Sequence, residues 1–381
     1  MTRVAVEGTM LRWARERAGR TRESLTPRFV RVADWETGEV QPTLKQLEAF
    51  AKAVHVPIGY LFLREPPEEP VPIPDFRTIA DQPLGRASPD LLDTVYLCQQ
   101  RQEWYRDDAR QAGAQPLPFV GSLVLGADVV RSAASIRAAL GLDLESQRRL
   151  PTWTDALRRF IELADALGVL VMVSGFVGSN NQRPLDPVEF RGFALADPVA
   201  PLVFINGADT KAAQMFTLAH ELAHLWLGES ALSDARASEA PTQVVERWCN
   251  RVAAELLVPL SVFTAEHDPN ADLRGELDRL ARRFKVSTLV VLRRMHDAGS
   301  LRGDAYWRAY NAEVQRLQEL PGGSGGNFYL TLGARVSKRF ARAVVSSTLE
   351  GRSSFTEAFR LLGFKKMTTF RELSNSLGVA V

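Results

Sequence analysis

The stretch FTLAHELAHLWLG, Phe216–Gly228, decides how this chain is read. It sets two histidines four residues apart around a glutamate, inside a run otherwise almost wholly apolar, in a chain with five histidines in all. On an α-helix residues i and i+4 leave the same face one turn apart, so His220 and His224 present their imidazoles together. That spacing suits two corners of a tetrahedral metal ion. Glu221 is turned from His220 by about 100°, which predicts a carboxylate beside the ion, able to take a proton from a water that the metal activates. The alternative is a buried, hydrogen-bonded histidine pair with no metal, which would leave Glu221 a nearly buried acid without a partner.

Two protein ligands fall short of the three, plus an open position, that a catalytic zinc site usually has. The next apolar segment, TQVVERWCNRVAAELLVP, Thr242–Pro259, supplies Glu246 and Glu255. They lie nine positions apart, half a turn out of phase, so both cannot face one ion. Glu246 shares its face with Asn250 and the small residues Ala253 and Ala254, which let a neighbouring helix approach; it is the expected third ligand, with Asn250 supporting it. Glu255 is expected to be a surface or helix-end acid. His55, His267 and His296 stand singly near helix ends and are expected to be solvated or to face a helix dipole. Nitrogen and oxygen donors suit zinc, and manganese equally.

Outward from this centre, 381 residues predict two or three domains. Hydrophobic residues at 45% and charged residues at 24% are the proportions of a soluble globular protein, and no apolar run approaches a membrane span. The N-terminus, MTRVAVEGTMLRWARERAG, breaks its apolar residues with charges before a signal-peptide core could form, which predicts a cytoplasmic protein. Cys98 and Cys249, far apart and outside any CxxC spacing, exclude a disulfide framework and a thiolate zinc site. A net charge of +2 points to no nucleic acid by itself.

The periodicities predict a mainly α protein with a small β-sheet, an α+β fold. Leu11, Ala14, Ala18 and Leu25, then Leu44, Leu47, Phe50, Ala51 and Val54, have the spacing of short packed helices. REPPEEPVPIP, Arg64–Pro74, is the best linker in the sequence. A helix over Pro89–Gln111 follows, then one ending at Gly168, a strand at Val169–Val173, and two short strands around Asp197-Pro198. The second of these, APLVFIN at Ala200–Asn206, is expected to offer an edge to which a substrate peptide adds. Helices over Ala212–Leu227, Thr242–Leu257 and either side of Val286-Ser287 come next. The cluster PGGSGG, Pro321–Gly326, precedes a helical tail bearing Arg335, Lys338, Arg339 and Arg342. Its stripe of Phe340, Val344 and Val345 is expected to pack on the peptidase part.

FINGADTKAAQMFTLAHELAHLWLG followed by ERWCNRVAAELLVP, with FKVSTLVVLRRM at Phe284–Met295, resembles the ImmA/IrrE metallopeptidases. The resemblance covers roughly Thr152–Leu301. It implies a zincin-like domain in which Glu246 is the third metal ligand. LRWARERAG and ADWETGEVQPTLKQLEAFAKAVHVPIGYLFL are similar to an Xre-type helix-turn-helix domain of five helices, with PDFRT, Pro74–Thr78, as its junction. Between Leu25 and Trp35 this chain has TPRFVRVAD, several residues shorter than that pattern. The expected domains are 1–65 (helix-turn-helix), 66–150 (linker and helical connector), 151–320 (peptidase) and 327–381 (helical tail). From Arg12 to Arg31 seven arginines face two glutamates, a basic run suited to phosphate contacts, with Arg22, Arg28 and Arg31 the candidates for duplex DNA. The resemblance implies a zinc endopeptidase cleaving a regulatory protein, such as a repressor, in a stress or mobile-element response. Its other implication is a promoter-binding antitoxin that holds a toxin. Helix-turn-helix domains commonly act as dimers.

Overall fold

Hydroxyl and carboxylate caps decide where most helices of this protein begin. The computed structural model describes residues 3–75, 78–79, 82–83, 87–233, 243–319 and 335–379. PGGSGG and part of PDFRT therefore lie outside the described residues. Contacts divide the chain into two units, Met1–Pro72 with Gly85–Asp93, and Ile73–Leu84 with Thr94–Val381.

The first unit contains α1 (Gly8–Arg17), α2 (Arg22–Leu25), α3 (Val32–Thr37), α4 (Leu44–Ala53) and a 3-10 turn at Ile58–Phe62. Thr21 accepts a hydrogen bond from the Ser24 N–H, and Thr43 with Gln46 forms a reciprocal capping box, satisfying donors that a helix start leaves free. Trp35 lies in the core, its ring edge-on to Phe50 and tilted on Phe29. Beneath it sits the buried Glu36 carboxylate, which accepts from Arg15 Nε at 2.5 Å and Arg22 Nε at 2.7 Å. Burial opposes ionisation of Glu36, but the two guanidiniums outweigh it and hold the carboxyl below its ordinary value. The linker, Arg64–Pro74, contains no helix or strand, as its prolines dictate, and Glu69 within it accepts from Arg17 Nη2 at 2.7 Å.

The second unit begins with a ribbon, β1 (Thr78–Ile79) paired antiparallel with β2 (Gln82–Pro83). Helices α5 (Pro89–Gln111), α6 (Val129–Leu140), α7 (Leu144–Arg148) and α8 (Trp153–Leu167) lead to β3 (Leu170–Ser174), β4 (Gly192–Leu195) and β5 (Leu202–Asn206). Then come α9 (Lys211–Leu227), β6 (Ala231–Ser233), α10 (Val244–Leu257), α11 (Leu260–Glu266), α12 (Leu273–Phe284), α13 (Thr288–Asp297) and α14 (Gly303–Glu319). The strands form one mixed sheet in the order β3-β5-β4-β6, parallel between β3 and β5 and antiparallel elsewhere. This corrects one expectation: β5 offers no edge to a substrate, because β3 and β4 pair with both of its sides, and all five of its residues are buried. The fold is mainly α with a small sheet, as the periodicities predict.

Helix α9 carries the decisive stretch. Thr210 caps its start by accepting from the Ala213 N–H at 3.2 Å, and Gly228 ends it at a φ of 73°. A side chain at Gly228 would be strained by that φ and would also meet the Gly121 Cα at 3.0 Å. Every residue of α9 from Ala213 to Trp226 is buried, so the helix is enclosed on all sides rather than amphipathic. Sheet strands β4 and β5 cover one side, α10 another and α8 a third.

The tail forms three helices, Lys338–Leu349, Phe355–Leu362 and Met367–Ser376. Phe340, Val344 and Val345 are fully buried, and the Phe340 ring meets Trp104 of α5 edge-on at 5.7 Å. Arg339 Nε donates to the Asp165 carbonyl of α8 at 2.8 Å. The tail thus packs on the second unit, as its apolar stripe predicts. Among the described residues no helix is long and apolar enough to cross a membrane.

Candidate metal centre

His220 and His224 project from consecutive turns of α9, and both are fully buried. Their Nε2 atoms lie 3.1 Å apart. Glu246, from the first turn of α10, meets both: Oε2 is 3.2 Å from His220 Nε2 and Oε1 is 3.0 Å from His224 Nε2. Small residues allow this approach, since Ala253 and Ala254 on α10 and Ala219 and Ala223 on α9 are buried. Among the described residues these three form the one group of histidine, cysteine or acidic donors able to hold a metal ion, with all ligand atoms within 4.8 Å.

Donors held about 2.1 Å from a shared tetrahedral ion stand about 3.4 Å apart, so two imidazole nitrogens 3.1 Å apart, each 3.0–3.2 Å from one of the two Glu246 oxygens, fit one divalent cation with little adjustment. The electrostatics fit as well. Burial pulls the pKa of His224 down, opposed by Glu246, which keeps a lone pair free for ligation. Burial opposes ionisation of Glu246, yet the charges and hydrogen bonds of His220 and His224 hold its carboxyl well below the usual carboxylate range. A neutral imidazole beside an ionised carboxylate is the protonation state that ligation needs.

Glu221 is fully buried and stands against β4, with Oε1 3.3 Å from where a side chain on Gly192 would begin. Asn250 is 3% exposed, and its amide has no hydrogen-bond partner among the described residues. Such a group is costly unless something polar reaches it. Gly192 was not among the residues singled out from sequence. A Cβ there would stand 2.5 Å from Thr217 Cγ2 and 2.8 Å from the Phe204 carbonyl oxygen, so only glycine lets α9 lie this close to the sheet. The available signal was a glycine inside the strand pattern FRGFALAD, which marks close approach of another element.

Glu255 is not the surface acid its position near a helix end suggests. It is 4% exposed, pairs with Arg294 Nη2 of α13 at 3.2 Å, and accepts from the Leu260 N–H at 3.2 Å, capping α11. The half-turn phase places it away from Glu246, and there Arg294 of α13 reaches it. His267 is likewise no solvated histidine: Nδ1 lies 3.2 Å from Glu276 and Nε2 3.1 Å from Ser300 Oγ. The His296 ring lies tilted against Tyr306 at 4.6 Å, and His55 takes a φ of 53°. Both cysteines are free and buried; burial pushes the Cys98 thiol up to about 12, against a smaller opposing pull from Arg101. In the first unit, α2 and α3 have only four and six residues. Arg22 pairs with Glu36, Arg28 lies over the Phe29 ring, and Arg31 pairs with Asp34 at 2.8 Å.

Residues 164–296 match the model of the IrrE N-terminal-like domain, a metallopeptidase family, and residues 336–376 match a domain of unknown function, DUF8813. The radiation response metalloprotease IrrE of Deinococcus radiodurans is 36% identical over 96 residues, which cover 24% of this chain and 29% of the relative. The chain therefore spans less than a third of the length of that curated relative. These matches, together with the arrangement of His220, His224 and Glu246, support the ImmA/IrrE family for the middle of the chain, where residues 164–296 are similar to an IrrE N-terminal-like domain.

Proposed function

We propose that this protein is a metal-dependent endopeptidase, with His220, His224 and Glu246 holding zinc, or manganese, and Glu221 moving protons. The observation that carries this reading is the convergence of three buried donor atoms from two helices on one point. A divalent cation bound there supplies Lewis acidity that acidifies water and polarises a peptide carbonyl. Glu221, on the same helix face edge and sealed against Gly192, accepts a proton from the attacking water and passes it to the leaving amine. Its burial keeps the carboxylate from being screened by bulk water. Asn250, one turn beyond Glu246, is suited to orient that carboxylate or the substrate.

The substrate is a regulatory protein, such as a transcriptional repressor, cleaved in a stress or mobile-element response; the likeness to a radiation response metalloprotease of Deinococcus favours stress. The test is hydrolysis of a quenched fluorogenic peptide library and of candidate repressors by zinc- or manganese-loaded protein. Glu221→Gln should retain the metal and lose all cleavage. Metal content of about one per chain with no hydrolysis of any substrate, and no biological effect of Glu221→Gln, would remove the peptidase reading.

A second reading concerns the first unit as an Xre-like, DNA-binding and dimerising module of an antitoxin type. It is favoured by an open concavity in which Arg12, Arg15, Arg20 and Arg22 outnumber Glu16 and Glu23. Because Arg15 and Arg22 are committed to Glu36, Arg12 and Arg20 are the better phosphate contacts. Duplex binding whose affinity falls steeply with salt is the expected result, and binding absent at low salt would refute it.

A further inference from the structure

Strand β6 is the last strand of the sheet, and it borders the candidate metal centre through β4. Gly192, which lies against Glu221, pairs with Ser233 of β6. The outer side of β6 is the side from which an extended chain could be added to the sheet. It is not bare. The Leu232 N–H donates to the Pro74 carbonyl at 2.9 Å, and Asp75 forms a parallel bridge with Leu232. Ile73, just before, is 8% exposed, whereas Pro72, Pro74 and Asp75 are exposed. Thus the end of the proline-rich linker lies on the sheet as a strap, with the Ile73 side chain buried.

The chemistry of the strap makes it a weak occupant. In an extended strand the N–H and C=O of one residue point to the same side, so the Pro74 carbonyl that faces β6 should be accompanied by an N–H, which proline lacks. An ordinary residue at that place would offer the edge a donor as well as an acceptor. Bare edges are usually blocked against unwanted pairing, and at Pro74 this block is one donor short of what an ordinary peptide residue would supply.

We propose that Ile73–Asp75 occupies the lane in which an extended substrate segment adds to β6, and that it leaves when the substrate arrives. The inference rests on the peptidase reading for its consequence, but not for the exchange itself. It names the substrate class: an unfolded or loop segment in extended form, with a branched aliphatic residue matching Ile73, rather than an intact helix or a folded surface. It also makes the linker a brake, so that whatever draws residues 73–75 away raises activity.

The experiment uses the full chain with Ile73-Pro74-Asp75 replaced by Gly-Ser-Gly, and Ile73→Ser alone as a milder variant should the first fold poorly. The probe is a synthetic peptide copying the strap with alanine in place of Pro74. Hydrogen exchange at the Leu232 amide should be slow in the parent protein, about ten-fold faster in the variants, and slow again when the peptide is added. With metal loaded, the variants should cleave a quenched extended peptide at lower KM and unchanged kcat. An amide that stays protected in both variants, or that the peptide fails to protect again, overturns the proposal. The expected exchange with no hydrolysis by any of the proteins sustains the docking lane and sinks the peptidase reading alone.

Discussion

Replacing Gly192 by alanine tests how tightly the sheet and the site are joined. The new methyl would stand 2.5 Å from Thr217 Cγ2, 2.8 Å from the Phe204 backbone oxygen and 3.3 Å from Glu221 Oε1, where ordinary contacts begin at 3.4 Å. The backbone oxygen belongs to β5, the buried middle of the sheet, and cannot swing aside. Helix α9 or strand β4 must therefore move by about half an ångström, and overpacking of this kind costs about 1–3 kcal/mol. Urea unfolding of the metal-free protein should show that loss in the transition of the larger unit. Thr217→Ser deletes the nearest methyl, so the double variant should recover part of the loss, about 1 kcal/mol of coupling. The Phe204 clash remains, so recovery should be incomplete. Gly192→Ala should also lower metal-dependent turnover more than metal content, since the strained contact includes Glu221 itself and neither ligand imidazole. A Gly192→Ala protein within about 0.3 kcal/mol of the parent, with no coupling to Thr217, would refute the packing argument.

Three further outcomes are expected. Glu246→Ala should weaken zinc binding by more than about 100-fold, beyond what loss of an outer partner costs, while Glu255→Ala retains the metal; equilibrium dialysis distinguishes them, and the reverse order would overturn the ligand assignment. Glu255→Ala should instead destabilise the fold by about 3 kcal/mol, because it strands Arg294 and the Leu260 N–H, with Asp297 as remaining partner of the guanidinium; a loss under about 1 kcal/mol would show the pair to be idle. Acid should reveal Glu276: bonds from Arg279 first, then the Asp268 N–H and His267, hold its carboxyl at about 2 against an ordinary 4.5. A lowered pKa contributes stability that is complete above 4.5 and fades as pH falls toward 2. The gap between parent and Glu276→Gln, on the order of 1–3 kcal/mol at neutral pH, should therefore close across that window, and a gap that ignores pH would contradict the assignment.

The legible parts of this protein are those written within one helix. Thr210 and Gly228 bracket α9 in the sequence as in the structure, and the spacing of His220 and His224 needs no tertiary knowledge. Half a turn between Glu246 and Glu255 also follows from helix geometry alone. What that phase could not reveal is that Arg294 of α13 reaches Glu255 on the side of α10 away from Glu246. The place of β5 was illegible for the same reason: its five apolar residues read alike at an edge or in the middle, and only the pairing with β3 and β4 decides. Strand β6 has three residues, too few for any period. His267 found its partners, Glu276 and Ser300, across nine and 33 positions of chain.

Enclosure of α9 on every side has a consequence for how such a protein can change. Nearly any substitution along this helix disturbs several neighbouring layers at once, so the candidate metal donors sit where change costs most. Under the proposed function, a change of substrate preference would instead have to arise at the periphery, where β6 and the chain beside it can be altered one residue at a time without unsettling the centre.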